Sequence, residues 1–310
     1  MSLVVAPGTP YVVPSVLVSA PTGISWSSIG GGRGSTPQQQ NAEQLNLCVR
    51  ATAMIDAYCG MPLRATVDTE TLPGPDGYRV SIRPNGTARL MLSRSPVVKV
   101  LSGQVSSAAA FPPQWRAIAA DQWAPEKPLI GVYGTSAPAS AGEGSQAVLL
   151  APGWLSWRAG RYGSLIQVTY INGWPHGSLA QDVAAAASSL SVDDVTGWLG
   201  AAGIIHDGGS QEAISVTAVT PSTVGALSGP GTLTLASPLV SAHRSGTMVS
   251  ALPGTVVWAG ILFCVSQALT RGATATTVQS QPGSAGGGGR TPEEYAAEAE
   301  LWVHSLKLTL

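Results

Sequence analysis

From Ser188 to about Leu252 the chain reads as β-structure alone, and on either side of that stretch it reads partly as helix. Ile214 and Val216, then Leu233 and Leu235, alternate with Ser or Thr, while Gly and Pro punctuate the turns between them. A side-chain period of two does not fit a helix, so these residues need a sheet of their own. The pattern therefore predicts an α+β fold in which a small all-β module, 188–253, is inserted into a discontinuous framework, 37–187 and 254–310. That framework combines helices with a few antiparallel strands.

Three helices are legible by their ends and stripes. In "TPQQQNAEQLNLCVRATAMIDAYCGMP", Thr36 is the N-cap and Pro37 the first helical residue. Leu45, Cys48, Thr52, Ile55 and Cys59 recur at helical spacing, and Gly60 then Pro62 end the run. "TVVWAGILFCVSQALTRG" holds an apolar run, Val256 to Val265, of about 10 residues, where a membrane span needs about 20. It reads as a buried helix, and no membrane partner is expected. The last helix opens at Thr291-Pro292 with Glu294 completing a capping box, and Tyr295, Ala299, Trp302 and Leu306 form its apolar stripe. A short Ala-rich helix is expected at 179–187. Strands are expected on both sides of "PNG" in "YRVSIRPNGTARLMLS", in "SPVVKVLSGQVS" and in "SLIQVTYINGW".

Two segments carry apolar residues without an evident core of their own. Residues 1–36 are rich in Pro, Gly and Ser, yet contain Tyr11, Val12, Val13, Val16, Leu17 and Trp26. They read as an extended arm that lies on a neighbouring subunit, with Tyr11, Val13, Leu17 and Trp26 as its contacts. The terminal helix follows the Gly-rich linker "TTVQSQPGSAGGGGR" and needs a docking surface, which a partner could provide. The opening "MSLVVAPGTPYVVP" has no basic stretch and is broken by proline, so it does not read as a secretory signal.

Composition points the same way. Charged residues make up 11% of the chain, against roughly 25% in typical soluble domains, while hydrophobic residues make up 44%. So little charge leaves a surface prone to association, which fits a homo-oligomer. A net charge of −1 excludes a phosphate-neutralising nucleic-acid reader. Cys48 and Cys59 are eleven positions apart on one helix, about 16 Å of rise, too far for a disulfide. With Cys264 they read as buried thiols.

The most chemical stretch is "GIIHDGGSQEAISV", 203–216. His206, Asp207, Ser210 and Glu212 crowd its centre, but Asp207-Gly208-Gly209-Ser210 has turn composition and the four read as neighbours at a solvent-facing hairpin tip. No nucleophile elbow, phosphate loop or dinucleotide fingerprint occurs. His176, His206, His243 and His304 are scattered, so no metal site is expected. Asp193-Asp194 reads as a turn before Gly197, and "GGGRG" at 30–34 as a hinge. Trp115, Trp123, Trp154 and Trp157 fit either a sugar platform or interface anchors. No catalytic residue and no cofactor are assigned.

In order along the chain, several stretches resemble the head–tail connector, or adaptor, proteins of long-tailed bacteriophages. "LNLCVRATAMIDAYCGMPL" looks like that family's first helix and its closing turn. "RLMLSRSPVVKV" looks like its strand pair, and "IQVTYINGWP" running into "LAQDVAAAA" is similar to its next strand and helix. The amino-terminal "APGTPYVVPSVLVSAPTGISWSSI" looks like the arm of actinobacteriophage adaptors. The resemblance covers about half the chain, and the β module departs from it.

What the resemblance implies is a non-enzymatic virion protein: a ring of twelve copies in the neck, beneath the portal protein. Such a ring extends the channel through which double-stranded DNA passes, and offers its other face to a stopper or tail-terminator component. Its subunits reside in the host cytoplasm during assembly and in the virion afterwards. By the same resemblance the terminal helix reaches the portal, with Tyr295, Trp302 and Leu306 as candidate interface residues. The competing expectation is a carbohydrate- or protein-binding β module of a virion surface or tail protein.

Overall fold

The computed structural model describes residues 8–26, 29, 36–74, 79–107, 112–126, 147–152, 155, 164–208, 210–271 and 290–309. It is a mixed α+β fold with four helices and three antiparallel sheets among these residues. Two helices open the chain, α1 (Pro14–Ser19) and α2 (Pro37–Cys59). At the start of α2 the Thr36 hydroxyl accepts from Gln39 N–H while Gln39 accepts from Thr36 N–H, a reciprocal cap. Gly60 ends the helix with φ +75°, a conformation that a side chain would strain.

A β unit follows. Strands β1 (Thr66–Pro73), β2 (Val80–Ile82), β3 (Ala88–Met91), β4 (Val97–Ser107), β5 (Arg116–Ile118), β6 (Trp123–Pro125), β7 (Ala147–Leu150) and β8 (Ser164–Asn172) form two four-stranded sheets. Their orders are β1-β8-β4-β5 and β2-β3-β7-β6. The β2–β3 pair lies on both sides of Pro84-Asn85-Gly86, as the turn chemistry predicts. Leu72, Val80, Leu90, Ile118, Val148, Leu150, Ile166, Val168 and Tyr170 bury their side chains in the core these sheets share.

The rest of the chain builds a second core. Strands β9 (His176–Ser178), β10 (Ser189–Val192), β11 (Ala202–Asp207), β12 (Ser210–Pro221), β13 (Gly231–Leu235) and β14 (Met248–Ser250) make a six-stranded sheet in the order β10-β13-β12-β11-β14-β9. Helices α3 (Gly254–Thr270) and α4 (Pro292–Thr309) follow. One continuous apolar cluster joins Tyr11 to Trp26 of the N-terminal segment, α2, this sheet, α3 and α4. The alternation at Ile214, Val216, Leu233 and Leu235 does point these four side chains inward. α3 is buried on nearly every side, so it is the central rod of this core.

Three expectations need correction. The sheet begins at His176, ahead of the expected boundary at Ser188, and shares its core with the helices instead of standing apart from them. The expected helix at 179–187 is absent: Val183 exchanges backbone hydrogen bonds with His243, and Ala186 N–H donates to Leu239. So short an alanine run gains too little from helix nucleation to compete with pairing to the 239–247 segment. Finally, the described residues of the N-terminal arm pack on their own chain. Tyr11, Val13, Leu17 and Trp26 are buried in their own chain, part of them on α1. Gly260 makes room for this packing: a Cβ there would stand 2.6 Å from Val12 Cγ2.

Candidate interaction surface

Three places concentrate polar or exposed apolar side chains, and their geometry separates structural roles from a binding surface. The first is where the N-terminal segment crosses from the sheet to α2. Thr9 hydroxyl donates to Asp193, which also accepts from Ser178 N–H at 2.6 Å. The Pro10 carbonyl accepts from His176 Nε2 at 3.0 Å, since a carbonyl cannot donate. His176 Nδ1 is therefore the acceptor facing Ser250 Oγ at 2.9 Å. Burial holds this neutral ring's pKa down at about 4. Tyr11 N–H donates to Thr52 Oγ1, and its hydroxyl donates to Asp56 at 2.5 Å while accepting from Leu63 N–H at 2.7 Å. Burial, with Asp56 beside it, raises the Tyr11 pKa, and burial raises that of Asp56. This array fastens the segment in place.

The second place is the 203–216 hairpin. β11 and β12 do pair around Asp207 and Ser210 as the sequence predicts. The side chains are not free at a solvent-facing tip, however. His206 is buried, and His243, from the loop before β14, lies between Asp207 and Glu212. Its Nδ1 is 3.1 Å from Asp207 Oδ2 and its Nε2 3.0 Å from Glu212 Oε2. Glu212 also accepts from the backbone N–H of Val240 and Ser241. Burial works against the Glu212 carboxylate, but these donors and His243 bring its pKa below the usual value. Ser210 Oγ donates to the Asp207 carbonyl at 3.0 Å. Both imidazole nitrogens of His243 and the serine hydroxyl are thus engaged in holding the loop, and no nucleophile faces a base here. The sequence reading missed His243 because only strand pairing brings it to the hairpin.

The remaining candidates resolve similarly. Asp194 accepts from Thr196 N–H and Gly229 N–H, closing a turn, and Asp193 fastens β9. Trp123 lies over Gly103 in the sandwich core, so it is not an open aromatic platform. Trp115 is half-buried, while Trp154, Trp157, the 30–34 glycines and the linker before Arg290 lie outside the described residues. Among the described residues no group of three His, Cys, Asp or Glu side chains is placed to hold a metal ion. No helix among them is long and apolar enough to cross a membrane.

The third place is the outer surface of the helices. Opposite the face that buries Leu47, Cys48, Ala51 and Ile55, α2 exposes Ala42, Leu45, Val49, Ala53 and Ala57. These recur every three or four residues, so they form one stripe about four turns long. Asn46 and Asp56 fall within it, Asp56 engaged by the Tyr11 hydroxyl, and Arg50 borders it. On α4, Ala299, Val303 and Leu306 pack into the core, so Leu306 is not an interface residue and the docking surface of the helix is its own chain. Tyr295 is half-buried beneath the Arg290 guanidinium, 4.6 Å from its ring centroid. Trp302 stays 42% exposed beside Leu301, which is 73% exposed. An uncharged run spans Ala213 to Ala242, and the loop between β12 and β13 leaves Val224 fully exposed.

No known protein family, curated protein or solved structure matches this chain.

Proposed function

We propose that this chain is a non-catalytic structural subunit that closes into a ring at the head–tail junction of a long-tailed bacteriophage. In this reading the ring sits beneath the portal, continues its DNA channel and receives the next neck or tail component. The order of the adaptor-like sequence stretches supports the assignment to that place. The observation that carries the ring is the stripe Ala42, Leu45, Val49, Ala53 and Ala57, apolar and exposed on a helix whose opposite face is already core. Contiguous exposed apolar surface of this kind marks interaction sites in folded proteins. The small residues at its two ends, Ala42, Ala53 and Ala57, let a second helix approach closely. Leu301 and Trp302 are the exposed apolar residues of the terminal helix available to the portal.

The test is to image the purified protein by negative stain, alone and with the portal of the same phage. Closed rings seated on portals are expected. Solitary particles that never associate with portals would remove the assignment.

The exposed Val224 on an uncharged loop keeps a second reading in view, in which the six-stranded sheet presents a protein- or carbohydrate-binding tip. Val224→Asp should then abolish capture by a tail component or glycan array while rings still form.

A further inference from the structure

The net charge of −1 conceals an uneven division of charge between the two cores. Residues 66–172, which build the sandwich, contain nine Lys and Arg against six Asp and Glu, whereas residues 173–310 contain four against nine. On each side part of the surplus stands on an outward face. In β3 and β7 the side chains of Ala88, Leu90, Val148 and Leu150 enter the sandwich core, so Arg89, Met91 and Leu149 between them face away from it. Arg83 shares the single carboxylate of Glu126 with Arg89, which leaves this cluster one positive charge over. On α4, Ala299, Val303 and Leu306 are core, and Glu293, Ala297 and Glu300 are exposed on the side away from them. Glu294 closes the helix cap and Glu298 holds Arg290. Glu293 and Glu300, two turns apart, pair with no cation among the described residues. Within its own chain α4 packs on α2 and α3, which leaves this face open to a second molecule.

We propose that the acidic outer face of α4 in one copy docks on the basic outer face of the β2-β3-β7-β6 sheet in the next copy, a head-to-tail contact between two molecules of this chain. The inference rests on the ring reading and adds to it the direction in which copies meet. Like faces set against each other would oppose charges of one sign, whereas the unlike pair attracts. Glu293 and Glu300 then meet the guanidinium pair of Arg83 and Arg89, and Ala297 between them is small enough to let the helix approach the sheet closely. Arginine on the sheet suits this role, since its planar fork matches a carboxylate. A contact between two different faces leaves each copy with one face unused, so copies add until the ring closes, whereas a self-complementary contact would stop at a pair.

The experiment uses the full-length protein and reads its self-association by analytical ultracentrifugation at about 0.05 M and about 0.5 M NaCl. Association should be about tenfold weaker at the higher salt, because screening weakens charge contacts and leaves apolar packing intact. Glu293→Arg with Glu300→Arg, and separately Arg83→Glu, should each associate about tenfold or more weakly than the unsubstituted chain at the lower salt. Mixed in equal amounts, the two variants should regain that loss, since the helix of each then faces a sheet of opposite charge on the other. Such recovery separates docking from damage to either variant. If Arg83→Glu fails to fold, the salt dependence and the helix variant decide alone. Association that withstands both salt and substitution overturns the proposal, as does a chain that stays single at both salts, and rings seated on portals would still uphold the ring reading. Portals that never carry rings overturn that reading, and the head-to-tail contact with it.

Discussion

The β sandwich of 66–172 and the core built by the helices and the six-stranded sheet use charge in different ways. In the sandwich, ion pairs border the sheets: Arg79 meets Glu70, and Arg83 and Arg89 share Glu126. Its strands all come from one stretch of sequence, although β1 with β8, β4 with β8 and β3 with β7 pair across long separations. The larger core draws on residues from Tyr11 to Leu306 and is crossed by neutral contacts such as Pro10–His176–Ser250 and Tyr11–Leu63. Its arginine–carboxylate ion pairs lie at its margins: Arg271 with Glu43, and Arg290 with Glu298. A core closed by its own first segment thus depends on that segment staying in place, whereas the sandwich depends only on itself.

The sharpest way to break this contrast is to remove residues 1–26. Losing Tyr11, Val12, Leu17 and Trp26 strips several buried side chains, each worth about 1.5–3 kcal/mol, from a fold of ordinary marginal stability. Hydrogen exchange should show α2 and α3 amides losing protection while β4 and β8 keep theirs. Equal loss in both regions would mean that the two cores unfold as one.

Acid should separate the cores next. His176 has a folded-state pKa of about 4, below its unfolded value near 6.5, so the unfolded chain binds the extra proton. The larger core keeps its full stability above pH 6.5 and loses roughly 3 kcal/mol as the pH falls to about 4. In the sandwich, burial works against the Glu70 carboxylate, but Tyr170, Arg79 and Ser93 together hold its pKa below the usual carboxylate value. Its contribution is present above the ordinary carboxylate range and is lost only at lower pH. Urea denaturation at pH 7, 5.5 and 4, repeated with His176→Gln, reads the difference: the substitution should flatten the slope between pH 6.5 and 4.

Tyr11→Phe is the finer probe. It keeps the ring but leaves Leu63 N–H without the hydroxyl it uses, and removes the donor to Asp56. A loss of about 2 kcal/mol is expected in urea denaturation, since a buried hydrogen bond to a charged group is involved.

The same contrast explains what could be read in advance. Helix ends were legible at Thr36, Gly60 and Thr291, because capping is decided within a few residues. So were the Pro84–Gly86 turn and the inward alternation of β12 and β13. The destination of the N-terminal segment was not. Tyr11 bonds to Leu63, and Pro10 to His176, across sequence separations that no local pattern encodes. Apolar residues without a local core looked like a debt to a neighbouring subunit when they were closing their own. Leu306 misled in the same way, since an apolar stripe on a terminal helix does not say which surface it meets. The α2 stripe was hidden for the opposite reason: the helix is apolar around most of its girth, and only the fold shows which side is left uncovered.

The smallest expected change in stability goes with the largest expected change in assembly. Leu45→Glu with Val49→Glu alters exposed positions and should shift folding stability by no more than about 0.5 kcal/mol. Light scattering on gel-filtered protein, in the presence of the portal, should give a multi-subunit mass for the unsubstituted chain and a single-subunit mass for the double variant. Equal masses for the two, whether both assemble or neither does, would contradict a role for the α2 stripe in joining sister copies.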